Sequence, residues 1–91
     1  MNAARLQALR ALASDAIETA AARVASPTVA DPMISSAELA LDDARWLLRN
    51  ERAWDAAGRA LASLGYTVGR LHPDYARVLA AATALRCPVQ S

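Results

Sequence analysis

Apolar residues recur at helical spacing along almost the whole chain, and no segment shows the alternation of apolar and polar residues that is typical of a half-buried strand. The apolar positions fall on one face of each of four segments, which predicts helices over residues 2–25, 32–49, 52–71 and 73–86. Short connections between successive helices favour antiparallel neighbours. We therefore predict an all-α fold: an up-and-down antiparallel bundle of three main helices with a short fourth helix, in a single domain over residues 1–91.

Prolines indicate where these helices begin and end. Pro27 ends the first helix, because the residue before a proline disfavours the helical conformation, and the only long loop follows. Asp31 and Pro32 suit the N-cap and the first position of the second helix. Ser35 and Glu38 form a capping box that is a competing start. We prefer the start at Asp31, because Met33 then joins the apolar face.

The second and third helices form the most informative part of the sequence, a predicted hairpin over residues 32–71 with a turn at residues 49–52. Each of its arms has one apolar face that has to be buried. The expected core positions are Met33, Ala37, Ala40, Leu41, Ala44, Leu47 and Leu48, then Ala53, Trp54, Ala57, Ala60, Leu61, Leu64, Val68 and Leu71, with Tyr75, Val78, Leu79, Ala82 and Leu85 on the fourth helix.

A second stripe on the third helix consists only of small residues: Gly58, Ala62, Gly65 and Gly69. A glycine inside a helix is less stable than alanine by roughly 1 kcal/mol, so three of them need a reason. Close approach of a neighbouring helix backbone is the first interpretation. A flat seat for a ligand or partner is the second.

Leu39 and Trp46 lie seven residues apart, on one line of the second helix that is nearly opposite its core face. A three-helix core does not explain a tryptophan there. Either the fourth helix covers this line, or it belongs to an interface with a second chain, where tryptophan is over-represented among the residues that dominate binding.

The composition predicts abundant helix and a thin core. The sequence is 55% hydrophobic, but 24 of those residues are alanine and none is phenylalanine, so the core is thin. Small proteins of this kind often complete their burial by self-association. We expect a homo-oligomer, with a dimer favoured, or a complex with another protein. The net charge of +1 gives no overall field for nucleic acid or an acidic membrane.

The alternative function is nucleic-acid or nucleotide binding by the basic C-terminal third. Arginines spaced along a face with an aromatic residue between them can follow a phosphate backbone. The candidate residues are Arg59, Tyr66, Arg70, Arg77 and Arg86.

A metal-dependent nucleotide hydrolase is a less favoured alternative. It would use the carboxylates of Glu38 and Asp42, or of Glu51 and Asp55, as hard oxygen ligands for Mg²⁺. The first pair is expected on the solvated side of its helix. We predict no metal site and no cofactor.

The remaining chemistry is sparse. His72 is the only histidine and precedes a proline at a helix end, where a capping or surface role is expected.

Cys87 is the only cysteine, which fits a reducing cytoplasm. The N-terminus lacks a secretory apolar core, and the uncharged stretch 60–69 is too short to span a bilayer. We predict a cytoplasmic protein that is not an enzyme.

The hairpin contains a set of residues that is typical of a known family: Met33, the run Ala40-Leu41-Asp42-Asp43-Ala44-Arg45-Trp46-Leu47-Leu48, the polar turn, Ala56-Ala57, Gly65-Tyr66 and Gly69-Arg70-Leu71. With these residues it resembles the archaeal domain-of-unknown-function family 357, over about residues 32–71. The chain departs from that family at Trp54 and at Leu71-His72-Pro73. The resemblance implies a small helical bundle and carries over no function and no active site.

Overall fold

The computed structural model describes residues 3–25 and 31–86, and within these ranges it contains four helices and no strand. This confirms the all-α bundle. The predicted start at Asn2 and the loop after Pro27 lie outside the described residues. The helices are α1 (Ala3–Ala25), α2 (Asp31–Arg49), α3 (Ala53–Thr67) and α4 (Pro73–Arg86).

Two polar contacts define the register of the hairpin formed by α2 and α3. The Ser63 hydroxyl donates to the carbonyl oxygen of Ala37 at 2.8 Å, and Arg59 pairs with Asp43 at 3.2 Å. From one contact to the other the residue number rises on α3 and falls on α2, so the two helices run antiparallel. Their mutual contact is the most extensive in the bundle, as predicted for this hairpin.

The two inner helices are α1 and α3, while α2 and α4 lie on opposite sides of them. Helix α1 contacts all three other helices, as does α3, but α2 and α4 do not contact each other in the described part of the chain. Arg23 pairs with Asp74 at 2.7 Å and Arg77 with Asp15 at 2.6 Å, which sets α4 antiparallel to α1. The bundle is flat, with extents of 45 × 27 × 15 Å.

Alanine supplies most of the core, as the composition indicates. Leu64 and Val78 are the largest apolar side chains with almost no exposure. Four predicted core residues with large side chains are exposed instead: Met33, Trp54, Leu71 and Leu79. The buried apolar set is Leu9, Leu12, Ala13, Ala16, Ala20, Ala37, Ala40, Leu41, Ala44, Ala53, Ala56, Ala57, Ala60, Leu64 and Val78.

Helix α3 ends at Thr67, four residues before the predicted end at Leu71. The N–H groups of Val68 and Gly69 both bond to the carbonyl of Leu64, and Gly69 then adopts a φ of +83°. Glycine reaches this left-handed region without the steric penalty of a Cβ atom. The chain therefore leaves the helix at Gly69, and Leu71 is 99% exposed.

The stripe of Gly58, Ala62, Gly65 and Gly69 does not receive a neighbouring helix backbone. A methyl group added at Gly58 or Gly69 would meet no atom within 4 Å, and at Gly65 it would meet the Tyr75 ring at 3.5 Å. The close-approach interpretation is therefore wrong for these glycines. The small residues that face α2 and the core belong to an adjacent buried stripe: Ala56, Ala60, Ser63 and Thr67.

The turn between α2 and α3 is a Schellman motif. The N–H of Arg52 bonds to the carbonyl of Leu47 at 2.9 Å, and the N–H of Glu51 bonds to that of Leu48 at 3.2 Å. Glu51 occupies the left-handed position of this motif with a φ of +61°. Glycine is the usual residue there, so Glu51 holds a conformation that its Cβ disfavours.

His72 caps the N-terminus of α4. Its Nδ1 accepts a hydrogen bond from the N–H of Asp74 at 3.0 Å, and its carbonyl accepts the first helical bond, from Ala76. Pro73 follows at the first helical position, where its missing N–H is not needed. The capping role predicted for His72 is confirmed.

Candidate interaction surfaces

The outer face of α2 carries an apolar pair that no described residue covers. Leu39 is 67% exposed and Trp46 is 53% exposed. Seven residues of helix place them about 10 Å apart along the axis and within about 20° of one another around it. We call this pair the α2 ridge.

The fourth helix does not cover the α2 ridge, because α4 packs against α1 and α3 on the far side of the bundle. Val78 anchors α4 in the core there, and Arg23 and Arg77 link it to α1. The interpretation of Trp46 as a residue under the fourth helix is therefore wrong. Its role in an interface with a second chain stays a prediction.

Four exposed charged residues lie beside the α2 ridge, on its side toward α1: Glu38, Asp42, Arg45 and Arg49. We call them the charged flank. Its acidic members precede its basic members along the helix. Arg45 and Asp42 are 3.7 Å apart within the chain, and both are largely exposed. Asp43 lies on the other side of the ridge and pairs with Arg59 of α3.

A shallow groove of about 200 Å³ lies between α3 and α4. Trp54, Leu61 and Leu79 were predicted to be core residues, and no groove was predicted there. The signal that was present in the sequence is Gly58, one turn after Trp54, which leaves open space beside the indole. The lining is mostly apolar and ends at an arginine: Trp54, Ala57, Gly58, Leu61, Leu79, Ala82, Thr83 and Arg86.

The arginines of the nucleic-acid alternative do not share one face. Arg59 pairs with Asp43 of α2, whereas Arg77 reaches α1, where it donates to Asp15 at 2.6 Å and to Thr19 at 2.8 Å. The hydrogen bond to the Asp15 carboxylate, with the negative charge of that group, raises the pKa of Arg77. Arg86 borders the groove between α3 and α4.

The other two members of that set also separate. Tyr66 is exposed on the last turn of α3. Arg70 lies beyond the end of α3, in the turn that leads to α4, so the helical spacing that related it to Tyr66 does not apply. These five residues therefore form no continuous basic track with an aromatic at its centre.

The described residues contain no group of three His, Cys, Asp or Glu side chains placed to hold a metal ion. Three of the candidate carboxylates are paired with arginines instead: Glu51 with Arg10 at 3.3 Å, Asp55 with Arg52 at 2.7 Å and Asp42 with Arg45 at 3.7 Å. None of the helices in the described ranges is both long and apolar enough to cross a membrane.

No protein-family model, curated protein or solved structure matches this chain. The resemblance of the hairpin to the archaeal family therefore stays a prediction.

Proposed function

We propose that the protein is a non-enzymatic helical interaction module that associates with a second copy of itself through the α2 ridge, with a dimer as the favoured assembly. The observation that carries this proposal is the exposure of Leu39 and Trp46 on the side of the bundle away from α4. Burial of a tryptophan and a leucine removes apolar surface from water and favours association. The only cysteine supports a cytoplasmic location for the module.

The thin core supports the same proposal. Most of the fully buried residues are alanines, which contribute little apolar area each. A bundle of this size gains stability when a second chain adds to its buried surface. One helix per chain gives a contact at the small end of the range for specific interfaces, so we expect a weak, concentration-dependent dimer.

The test is sedimentation equilibrium of the full chain and of two truncations, Leu39→Ala and Trp46→Ala. Each should raise the dimer dissociation constant about tenfold or more, as loss of a central apolar anchor does. Neither change should reduce the helix content, because both side chains are mostly exposed in the single chain.

Matched controls exist elsewhere on the surface. Leu71→Ala removes a more exposed leucine from the turn before α4, and Trp54→Ala removes the other tryptophan, from the groove between α3 and α4. Both should associate as the parent chain does. A parent chain that stays monomeric, or ridge variants that associate as tightly as their controls, would remove the proposal.

A further inference from the structure

The charged flank of α2 is self-complementary when a second copy runs in the opposite direction. Glu38 and Asp42 occupy its first half, and Arg45 and Arg49 occupy its second half. A two-fold axis perpendicular to two antiparallel helices brings the same flank of each helix to the same side of the interface. The acidic half of one copy then faces the basic half of the other.

The register that joins the two ridges also joins these charges. When Leu39 of one copy lies opposite Trp46 of the other, acidic and basic residues of the two flanks alternate along the interface. Glu38 then lies about 3 Å along the axis from the levels of Arg45 and Arg49 of the other copy, and Asp42 lies about 3 Å from the level of Arg45. Arginine side chains are long enough to span this offset, so the apolar contacts and the ion pairs form in the same register. A parallel pairing about a two-fold axis would instead place the two flanks on opposite sides of the interface, where neither faces its complement.

From this geometry, and resting on the proposed function, we infer that the second copy binds antiparallel on α2, with each Leu39 against the other Trp46 and with the ion pairs Glu38–Arg49 and Asp42–Arg45 between the copies. Asp42 and Asp43 lie nearest the two-fold axis, on either side of the ridge. Arg45 lies 3.7 Å from Asp42 and Arg59 pairs with Asp43 at 3.2 Å, which offsets the repulsion between the two copies of each carboxylate.

The flank sets the orientation of the dimer rather than most of its affinity. All four of its residues are exposed in the single chain, and the pair Asp42–Arg45 within one chain is loose at 3.7 Å. Exposed ion pairs of this kind contribute little to affinity but select the partner and its register.

Charge reversal tests the pairing directly. Glu38→Arg and Arg49→Glu, each made alone, place like charges opposite one another twice per dimer, and each should raise the dimer dissociation constant about tenfold at low salt. The double variant, which carries both reversals in one chain, restores two attractive pairs and should return to within about threefold of the parent. Glu18→Arg on α1, an exposed reversal away from the flank, is the control for net charge.

Cross-linking tests the direction independently of affinity. Ser35 and Asn50 lie on the ridge side of α2, 15 residues apart, which is about 22 Å along the helix. In the antiparallel register each lies opposite the other. With Cys87 replaced by serine, a mixture of the Ser35→Cys and Asn50→Cys chains should cross-link through a short bis-maleimide, while neither chain alone should do so.

The outcomes separate the inference from the proposed function. A parent chain that is monomeric ends both. A dimer in which Ser35→Cys cross-links to itself, or in which the double reversal is no tighter than the single ones, overturns the antiparallel pairing and leaves self-association standing. The antiparallel pairing is established if the double variant regains the dimer affinity of the parent and only the mixture of the two cysteine chains cross-links.

Discussion

Glu51 is the only residue other than glycine with a positive φ in the described part of the chain. It occupies the left-handed position of the Schellman motif that ends α2, where a Cβ atom is unfavourable. Its carboxylate pairs with Arg10 at 3.3 Å, but both side chains are largely exposed, so the pair stabilises the fold little. The backbone conformation therefore dominates the energetics of this position.

Glu51→Gly should stabilise the protein by about 0.5–1 kcal/mol. Glycine relieves the left-handed strain, and the larger entropy that it gives the unfolded chain offsets part of this gain. Glu51→Ala is the matched control, because it loses the same ion pair and keeps the Cβ atom. Denaturant unfolding measures both. A glycine variant no more stable than the alanine variant would contradict the account of this turn.

Leu64 and Leu71 lie on either side of the end of α3 and differ widely in solvent exposure. Leu64 is fully buried, and Leu71 is 99% exposed. Leu64→Ala should lower the free energy of unfolding by about 2–5 kcal/mol, because it leaves a cavity in the core. Leu71→Ala should change it by less than about 0.5 kcal/mol. Urea unfolding of both variants checks the contrast, and equal losses would place the end of α3 elsewhere.

At the scale of the elements, α4 is the helix with the weakest hold on the core. Val78 is its only fully buried residue. Tyr75, Ala82 and Leu85 pack against the core but are only partly buried. The polar attachments are partly exposed: the pair Arg23–Asp74, the contacts of Arg77 with α1, and the cap at His72. Elements with few buried apolar contacts open at low free energy, so α4 should exchange its amide hydrogens before α1 to α3 do.

His72→Ala should destabilise α4 by about 1 kcal/mol, because the N–H of Asp74 loses its acceptor at the start of the helix. His72→Asn supplies a side-chain oxygen at the same position and should keep most of that stability. Hydrogen exchange at the Asp74 amide reports the cap directly. Unchanged protection in the alanine variant would show that His72 does not cap α4 in solution.

The boundaries of the elements show how far the sequence could be interpreted. Pro73 and its preceding residue predicted the start of α4, and the start of α2 at Asp31 was also expected. The end of α3 was missed because Val68 and Leu71 continue the apolar spacing of Leu64. Only the backbone conformation at Gly69 shows that the helix has stopped.

The two hydroxyl residues of the buried small-residue stripe, Ser63 and Thr67, were missed for a chemical reason. Ser63 and Thr67 count as polar in any pattern of hydrophobic positions, yet both are buried. Their hydroxyls bond to helix carbonyls, Ser63 to Ala37 and Thr67 to Ser63 and Leu64, so burial leaves neither without a partner. Sequence spacing alone cannot show which hydroxyls find such acceptors.

At the scale of the whole molecule, the flat arrangement leaves α2 with one unpartnered face. The ridge of Leu39 and Trp46 could be predicted from helical angle, because both residues lie opposite the core face of the same helix. The side on which α4 packs could not be predicted. That choice depends on tertiary contacts, namely the burial of Val78 and the links of Arg23 and Arg77 to α1.

The alternative of nucleic-acid or nucleotide binding stays a prediction, and the distribution of its arginines gives it no single surface. Arg59 and Arg77 already serve as links between helices. The proposed self-association, in contrast, uses only residues whose side chains are exposed and whose order along α2 matches a second copy.

Sedimentation equilibrium of the full chain, from about 10 to 500 µM, tests the central claim most directly, because a weak one-helix contact should dissociate within that range. The account predicts a weight-average mass that rises with concentration toward twice the 9.6 kDa of one chain. A mass that stays at 9.6 kDa across the whole range would contradict it.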